Sequence, residues 1–149
     1  MSRQEATTSA VIGFAEKLEG DFSDFYTVLA RKYIENKEQF LSFAEDSKKN
    51  KIFIIRTYRE TISDALEACF CFEGLNLEDF AITKTIGKDV SRSAALRLAI
   101  GNEERAIQFY TTVANLSTGL LATITMAFKR IAEKRKNREL TMRTLVIRA

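Results

Sequence analysis

Two glutamates, Glu19 and Glu103, stand at positions where helical spacing places apolar side chains. Their neighbours on the same helical face are Ile12, Ala15, Phe22, Tyr26 and Leu29 for Glu19, and Leu96, Ala99, Ala106, Tyr110 and Val113 for Glu103. A carboxylate buried among such residues is costly unless it is paired with a cation or bound to a metal. The chemistry that these two positions can support is therefore metal ligation or a buried ion pair.

The two glutamate-bearing stretches are related to each other by an internal repeat. Sliding one over the other by 84 residues aligns seven identical residues within 21 positions, more than amphipathic composition alone would give. The identical pairs are Ala10/Ala94, Ala15/Ala99, Glu19/Glu103, Phe25/Phe109, Tyr26/Tyr110, Thr27/Thr111 and Ala30/Ala114. The repeat predicts two equivalent halves, each with one buried glutamate and one core tyrosine beside it.

Two further helical stretches carry polar residues at the middle of an apolar face. The stripe of the earlier stretch is interrupted by Ser47 and Asn50, and that of the later one by Arg135 and Arg138. The two stretches match each other at an offset of 88 residues through Phe40/Phe128, Ala44/Ala132 and Glu45/Glu133. On that register Ser47 corresponds to Arg135 and Asn50 to Arg138, so all four faces become polar at the middle.

The elements that must position these residues are four long helices in one domain, residues 1–149. The chain has no proline and many residues of high helix propensity, which predicts an all-α fold. Four inward-facing stripes predict a four-helix bundle with a polar centre, and an aperiodic stretch after the second helix predicts a long crossover. Residues 1–9 are expected to be frayed, with Thr8 or Ser9 capping the first helix. The expected bounds are about 9–33, 38–72, 92–116 and 120–147 for the helices and about 73–91 for the crossover.

Composition excludes several kinds of chemistry. There is no histidine, which removes histidine-based acid–base catalysis, Ser-His and Cys-His nucleophile pairs, and imidazole metal ligands. The two cysteines, Cys69 and Cys71, cannot form a four-cysteine metal site, and we interpret them as reduced and structural. No apolar run approaches the roughly 20 residues needed to cross a bilayer, and the N-terminus lacks an apolar signal core. A cytoplasmic location is therefore expected.

The pattern resembles the ferritin-like superfamily and, within it, the rubrerythrin-like proteins. The resemblance covers nearly the whole chain and rests on the Glu-x6-Tyr helices, Glu19–Tyr26 and Glu103–Tyr110, together with the Phe-Tyr pairs, the crossover and the repeat. It implies an up-down-down-up bundle that associates with itself. In that family the first and third helices each give one glutamate to a di-iron centre, and the second and fourth each give a Glu-x-x-His pair.

Most of the family's metal ligands are missing from this chain. The metal-site positions that the resemblance carries over are Glu19, Ser47, Asn50, Glu103, Arg135 and Arg138, and only the two glutamates among them match the family's ligands. A register slip to Glu45 and Glu133 would not restore a site, because both lie two positions away from the seam. We therefore expect no metal and no other cofactor. The alternative is iron or another divalent metal held by the two glutamates.

The charges of these residues suggest what replaces the metal. Two glutamates and two arginines sum to zero, and a guanidinium presents planar donors suited to a carboxylate. We expect Arg135 and Arg138 to occupy the former metal cavity and to pair with Glu19 and Glu103. The remaining hydrogen bonds are expected from Ser47, Asn50, Tyr26 and Tyr110. The alternative is a rotated fourth helix, whose arginines reach solvent while the glutamates are only partly buried.

Three functions remain open, and we favour the first. It is a non-catalytic, metal-free scaffold that forms a homodimer or binds an unknown protein partner through apolar residues outside the seams, namely Phe70, Phe72, Phe80 and Leu121. The second is a di-iron oxidoreductase or peroxidase with an atypical metal site. The third, weaker alternative is anion or nucleic-acid binding by the basic C-terminal helix, which lacks interleaved aromatic residues for base stacking. Its cations are Lys129, Arg130, Lys134, Lys136, Arg143 and Arg148. No membrane partner is expected.

Overall fold

The computed structural model describes residues 6–61, 71–118 and 122–148. Most of these residues lie in four long helices, which confirms the all-α prediction. The helices are α1 (Thr8–Lys32), α2 (Lys37–Thr61), α3 (Arg92–Leu116) and α4 (Ala122–Arg148). No helix in the described part of the chain is both long and apolar enough to span a membrane.

The helices pack as two hairpins whose apolar stripes face one shared core. α1 packs along α2, to which it is joined by the short 3-10 turn Ile34–Asn36, and α3 packs along α4. The hairpins meet partly through α2 and α4. Small residues lie on the inner faces, where Ala15 and Ala99 are completely buried.

The N-terminal caps follow from side-chain oxygens placed just before the first helical turn. Thr7 accepts a hydrogen bond from the Ala10 amide at 3.1 Å and caps α1. The expectation of Thr8 or Ser9 as the cap was therefore wrong, because both residues already lie within the first turn of α1. In α3 the cap is Ser91, which accepts from the Ala94 amide at 3.1 Å.

A two-stranded ribbon changes the expected course of the chain at both of its ends. β1 (Ala6–Thr7) pairs antiparallel with β2 (Cys71–Phe72), so that Ala6 lies opposite Phe72 and Thr7 opposite Cys71. Residues 6–7 are thus not frayed, and the helix expected to reach residue 72 does not include residues 71–72. The physical reason is that this extended pairing lets Phe72 bury its ring completely in the core.

The crossover leaves β2 through Gly74, whose φ of 71° suits a residue without a Cβ. It forms a 3-10 turn at Leu77–Phe80 and then runs beside α3 and α1. The buried Asn102 of α3 fixes it by accepting from the Thr83 amide at 3.1 Å and donating to the Thr83 carbonyl at 2.9 Å. Lys32 of α1 donates to the carbonyl of Gly87 at 2.6 Å.

Candidate functional site: a buried arginine–glutamate centre

The tyrosines and glutamates of the internal repeat bond to each other across the two halves. Tyr26 donates its hydroxyl to Oε1 of Glu103 at 2.6 Å. In the equivalent bond, Tyr110 donates to Oε2 of Glu19. Because each tyrosine lies beyond the glutamate of its own helix and reaches the glutamate of the other, α1 and α3 run in opposite directions through the centre. The repeat in the sequence thus becomes a reciprocal pair of hydrogen bonds.

Arg135 of α4 joins the two glutamates. Its Nη2 donates to Oε1 of Glu19 at 2.6 Å, and its Nη1 lies 2.8 Å from both carboxylate oxygens of Glu103. All three side chains are fully buried. The guanidinium carbon lies 3.8 Å from the ring centroid of Phe22, within the range of a cation–π contact. Among the described residues, its Nε has no hydrogen-bond partner.

The pKa shifts at the centre indicate that Arg135 is charged and that Tyr26 and Tyr110 are neutral. Burial opposes the charge of Arg135, but Glu103 and Glu19 outweigh it and hold the arginine pKa well above its ordinary value. Burial, followed by the charge of the bonded glutamate, raises the pKa of Tyr26 and of Tyr110 well above 10.0. The tyrosines therefore act as neutral donors at physiological pH, and Arg135 remains a cation.

Asn50 and Arg138 occupy equivalent positions on α2 and α4 at the 88-residue offset, and each bonds one glutamate of the centre. Asn50 donates its Nδ2 to Glu19 at 3.2 Å, and Arg138 lies 3.4 Å from Glu103 through Nη1. Arg138 also forms an ion pair of 3.5 Å with Asp46, whose side chain is half exposed. The contacts of Arg138 are therefore longer than those of a tight charge-assisted hydrogen bond, which spans roughly 2.7–2.9 Å.

Ser47 is buried at the centre but does not bond a glutamate, contrary to expectation. Its hydroxyl donates to the carbonyl of Phe43, one turn earlier in its own helix, at 3.1 Å. The side chain is short, and the preceding carbonyl is the partner that a helical serine reaches most easily.

The two glutamates outside the seam, Glu45 and Glu133, are both exposed.

A rotated α4 would expose its arginines to solvent. In the structure Arg135 is 0% and Arg138 5% exposed, so α4 is not rotated in this way. Of the four apolar residues expected to form an interface, the structure describes two, and both pack against the core. Phe72 is buried, and the half-buried Phe80 packs 5.7 Å from the ring of Phe109 inside the chain. Phe70, Leu121 and Cys69 lie outside the described residues, while Cys71 is exposed with a free thiol.

Sequence reasoning missed several residues that touch the centre, among them Phe22 and Asp46. Phe22 was assigned only to the core, although its ring supports the Arg135 guanidinium. Asp46 was overlooked because it lies beside the seam in a charged run; its spacing of four residues from Asn50 was a usable signal, since such residues share a helical face.

The side chains at the centre do not fit a pair of iron ions. Two carboxylates converge there, and the space between them holds a guanidinium that contacts both. In the described part of the chain, no three histidine, cysteine, aspartate or glutamate residues are grouped as a metal site would require. A di-iron pair would need four to six protein donors and would be repelled by Arg135.

Comparison of the chain with protein-family models, with curated proteins and with solved structures gives no match. The inference of function therefore rests on the centre itself.

Proposed function

We propose that this protein is a ferritin-like bundle in which Arg135 takes the place of a metal pair, and that it acts as a non-catalytic scaffold. The observation that carries the proposal is the fully buried bridge from Arg135 to Glu19 and Glu103. The opposed directions of α1 and α3 and the crossover between the hairpins support the up-down-down-up topology.

The chemistry of the bridging group supports a structural role. A guanidinium stays protonated, has no redox states in the protein and offers no open coordination position to a substrate. Its planar donors instead hold the two carboxylates at fixed separation. Because the cost of desolvation offsets much of the attraction in a buried ion pair, we propose that this bridge contributes specificity of packing more than net stability. The centre thus fixes how α1, α3 and α4 meet.

Metal content tests the proposal directly. The protein is expressed in medium supplemented with iron and manganese, purified without chelators and measured by elemental analysis. We expect far less than one metal ion per chain. About two ions per chain, as in a di-iron bundle, would overturn the proposal and support an oxidoreductase.

A variant that restores the family's ligands tests the ferritin-like register. It carries Ser47→Glu, Asn50→His, Arg135→Glu and Arg138→His, which creates a Glu-x-x-His pair on α2 and on α4. We expect this variant to bind about two iron ions per chain. The control carries only the two α4 substitutions and has half of the added ligands. A folded variant that binds no iron would contradict the register.

The surface of α4 supports self-association as the scaffold's activity. Three apolar side chains on its outer side are strongly exposed: Met126 at 72%, Leu140 at 63% and Ile147 at 84%. Their spacing in multiples of seven places them along one stripe of the helix. We propose that this stripe packs against a second copy of the chain.

Nucleic-acid binding gains no such support. Several of the cations on α4 are already engaged within the chain. Arg130 lies 5.3 Å above the ring of Phe53, and Lys136 pairs with Glu133 at 3.1 Å.

A further inference from the structure

An open cleft lies beside the arginine–glutamate centre, between α2 and α4. Its volume is about 330 Å³. The residues that line it are Phe43, Asp46, Lys134, Asn137, Arg138 and Thr141. Arg138 is where the cleft meets the centre, because its guanidinium contacts both Asp46 at the cleft and Glu103 behind it.

Arg138 is held in place but incompletely satisfied. The residue is only 5% exposed, yet its two contacts with carboxylates measure 3.4 and 3.5 Å. Arg135, on the same helix, makes contacts of 2.6 to 2.8 Å. A guanidinium has five N–H donors, and those of Arg138 are not consumed by bonds of comparable strength.

Aromatic rings determine which side of Arg138 remains available. Its guanidinium carbon lies 4.9 Å from the centroid of Phe43 and 5.7 Å from that of Tyr26. Apolar rings on these sides, and Glu103 behind, leave the cleft as the direction from which a further acceptor can approach. A carboxylate or phosphate group commonly bonds a guanidinium through two of its oxygens, which accept two parallel N–H donors.

We propose that this cleft binds a small oxyanion, a carboxylate or phosphate group, on Arg138 and Lys134. Lys134 is exposed at the cleft and has no ion pair with any residue that the structure describes. The exposed side chains of Asn137 and Thr141 add polar groups at the same opening. Asp46 is the internal carboxylate that occupies part of this position in the free protein.

The role of Asp46 gives the proposal a specific signature. Its carboxylate is half exposed and only 3.5 Å from Arg138, so an incoming oxyanion must share the guanidinium with it or displace it. Removing the charge of Asp46 should therefore tighten binding, whereas removing the charge of Lys134 should weaken it. Opposite effects from these two neighbouring charges, together with no effect from a lysine outside the cleft, would place the bound oxyanion at this cleft.

The experiment titrates the full-length protein with inorganic phosphate and, separately, with acetate, at constant ionic strength maintained with chloride. Binding is measured by calorimetry and by the shift in melting temperature. We expect a millimolar dissociation constant for at least one probe, a decrease of about three- to tenfold for Asp46→Asn, and an increase of similar size for Lys134→Gln. Phosphate alone, acetate alone or both distinguish which oxyanion the cleft accepts.

Lys129→Gln is the matched control, because Lys129 is an exposed lysine on the same helix and does not line the cleft. It should leave the dissociation constant unchanged. Equal effects of Lys129→Gln and Lys134→Gln would show general charge attraction and overturn the proposal. Absence of saturable binding of both probes to the wild type and to Asp46→Asn would overturn it as well. Asp46→Asn preserves the shape of the side chain and leaves the contact of Arg138 with Glu103, and Lys134 is exposed, so both variants are expected to fold.

Discussion

Replacing Arg135 by alanine should destabilise the protein severely, because it leaves two carboxylates buried without their cation. Breaking one buried ion pair by removing a partner costs about 3–5 kcal/mol. Arg135 pairs with both Glu19 and Glu103 and also lies 3.8 Å from the centroid of Phe22. We therefore expect the free energy of unfolding to fall by at least about 3 kcal/mol.

Urea unfolding followed by far-ultraviolet circular dichroism measures this loss. Because domains of this size are stable by about 5–15 kcal/mol, the Arg135→Ala protein should unfold at much lower urea or fail to fold. The control is Arg130→Ala, an exposed arginine on the same helix whose contact with Phe53 is worth about 1 kcal/mol or less. A loss below about 0.5 kcal/mol for Arg135→Ala would refute the buried bridge.

Removing the three charges of the Arg135 bridge separates the loss of charge pairing from the loss of packing. The variant combines Arg135→Met with Glu19→Gln and Glu103→Gln, which removes all three charges while keeping side-chain volume. Uncharged replacements of buried ion pairs are often neutral or stabilising, so this variant should be more stable than Arg135→Met alone by about 2 kcal/mol or more. If instead the effects of the three substitutions simply add, the three charges are not coupled.

Three further outcomes are expected. The pKa of Tyr26 and Tyr110 lies well above 10.0 in the folded protein, so only the unfolded chain releases these protons just above pH 10. The free energy of unfolding should therefore fall above pH 10, by up to about 1.4 kcal/mol per pH unit per tyrosine, and phenylalanine at both positions should flatten this slope. Leu140→Glu should shift a homodimer towards monomer in sedimentation, whereas Ile34→Glu, at a strongly exposed position outside α4, should not; identical sedimentation of both variants would exclude this interface. Asn102→Ala should release the crossover, with loss of about 1–3 kcal/mol and faster hydrogen exchange at the Thr83 amide, and unchanged exchange would refute the role of Asn102.

The sequence was informative about the inner faces of the helices because the chemical exceptions there are few and regularly spaced. Glu19 and Glu103 stood out against apolar neighbours, and only a cation or a metal can satisfy such positions. With histidine absent, Arg135 was the natural candidate. Helical periodicity alone therefore identified most of the residues that meet at the centre, before any distance was known.

Features that depend on tertiary pairing could not be found in the same way. The strand Cys71–Phe72 is two residues long and has no periodicity of its own; it forms because Ala6–Thr7 lies beside it. Ser47 shows a second limit, because the stripe places the residue at the centre but does not say whether its hydroxyl bonds a glutamate or its own helix. Periodicity specifies the face on which a residue lies and leaves the choice of partner open.

The pair Ser47/Arg135 departs from the two-fold relation of the repeat, and the charge balance explains why. Glu19 and Glu103 occupy equivalent positions, and one central guanidinium contacts both. An arginine at the position equivalent to Arg135, which is Ser47, would compete for the same space, and because Arg135 and Arg138 already balance the two glutamates it would add an uncompensated buried charge. Ser47 is small and fully buried, as that position requires when Arg135 fills the centre. The difference between Ser47 and Arg135 thus follows from one guanidinium bridging two equivalent carboxylates, while Arg138 contacts only Glu103.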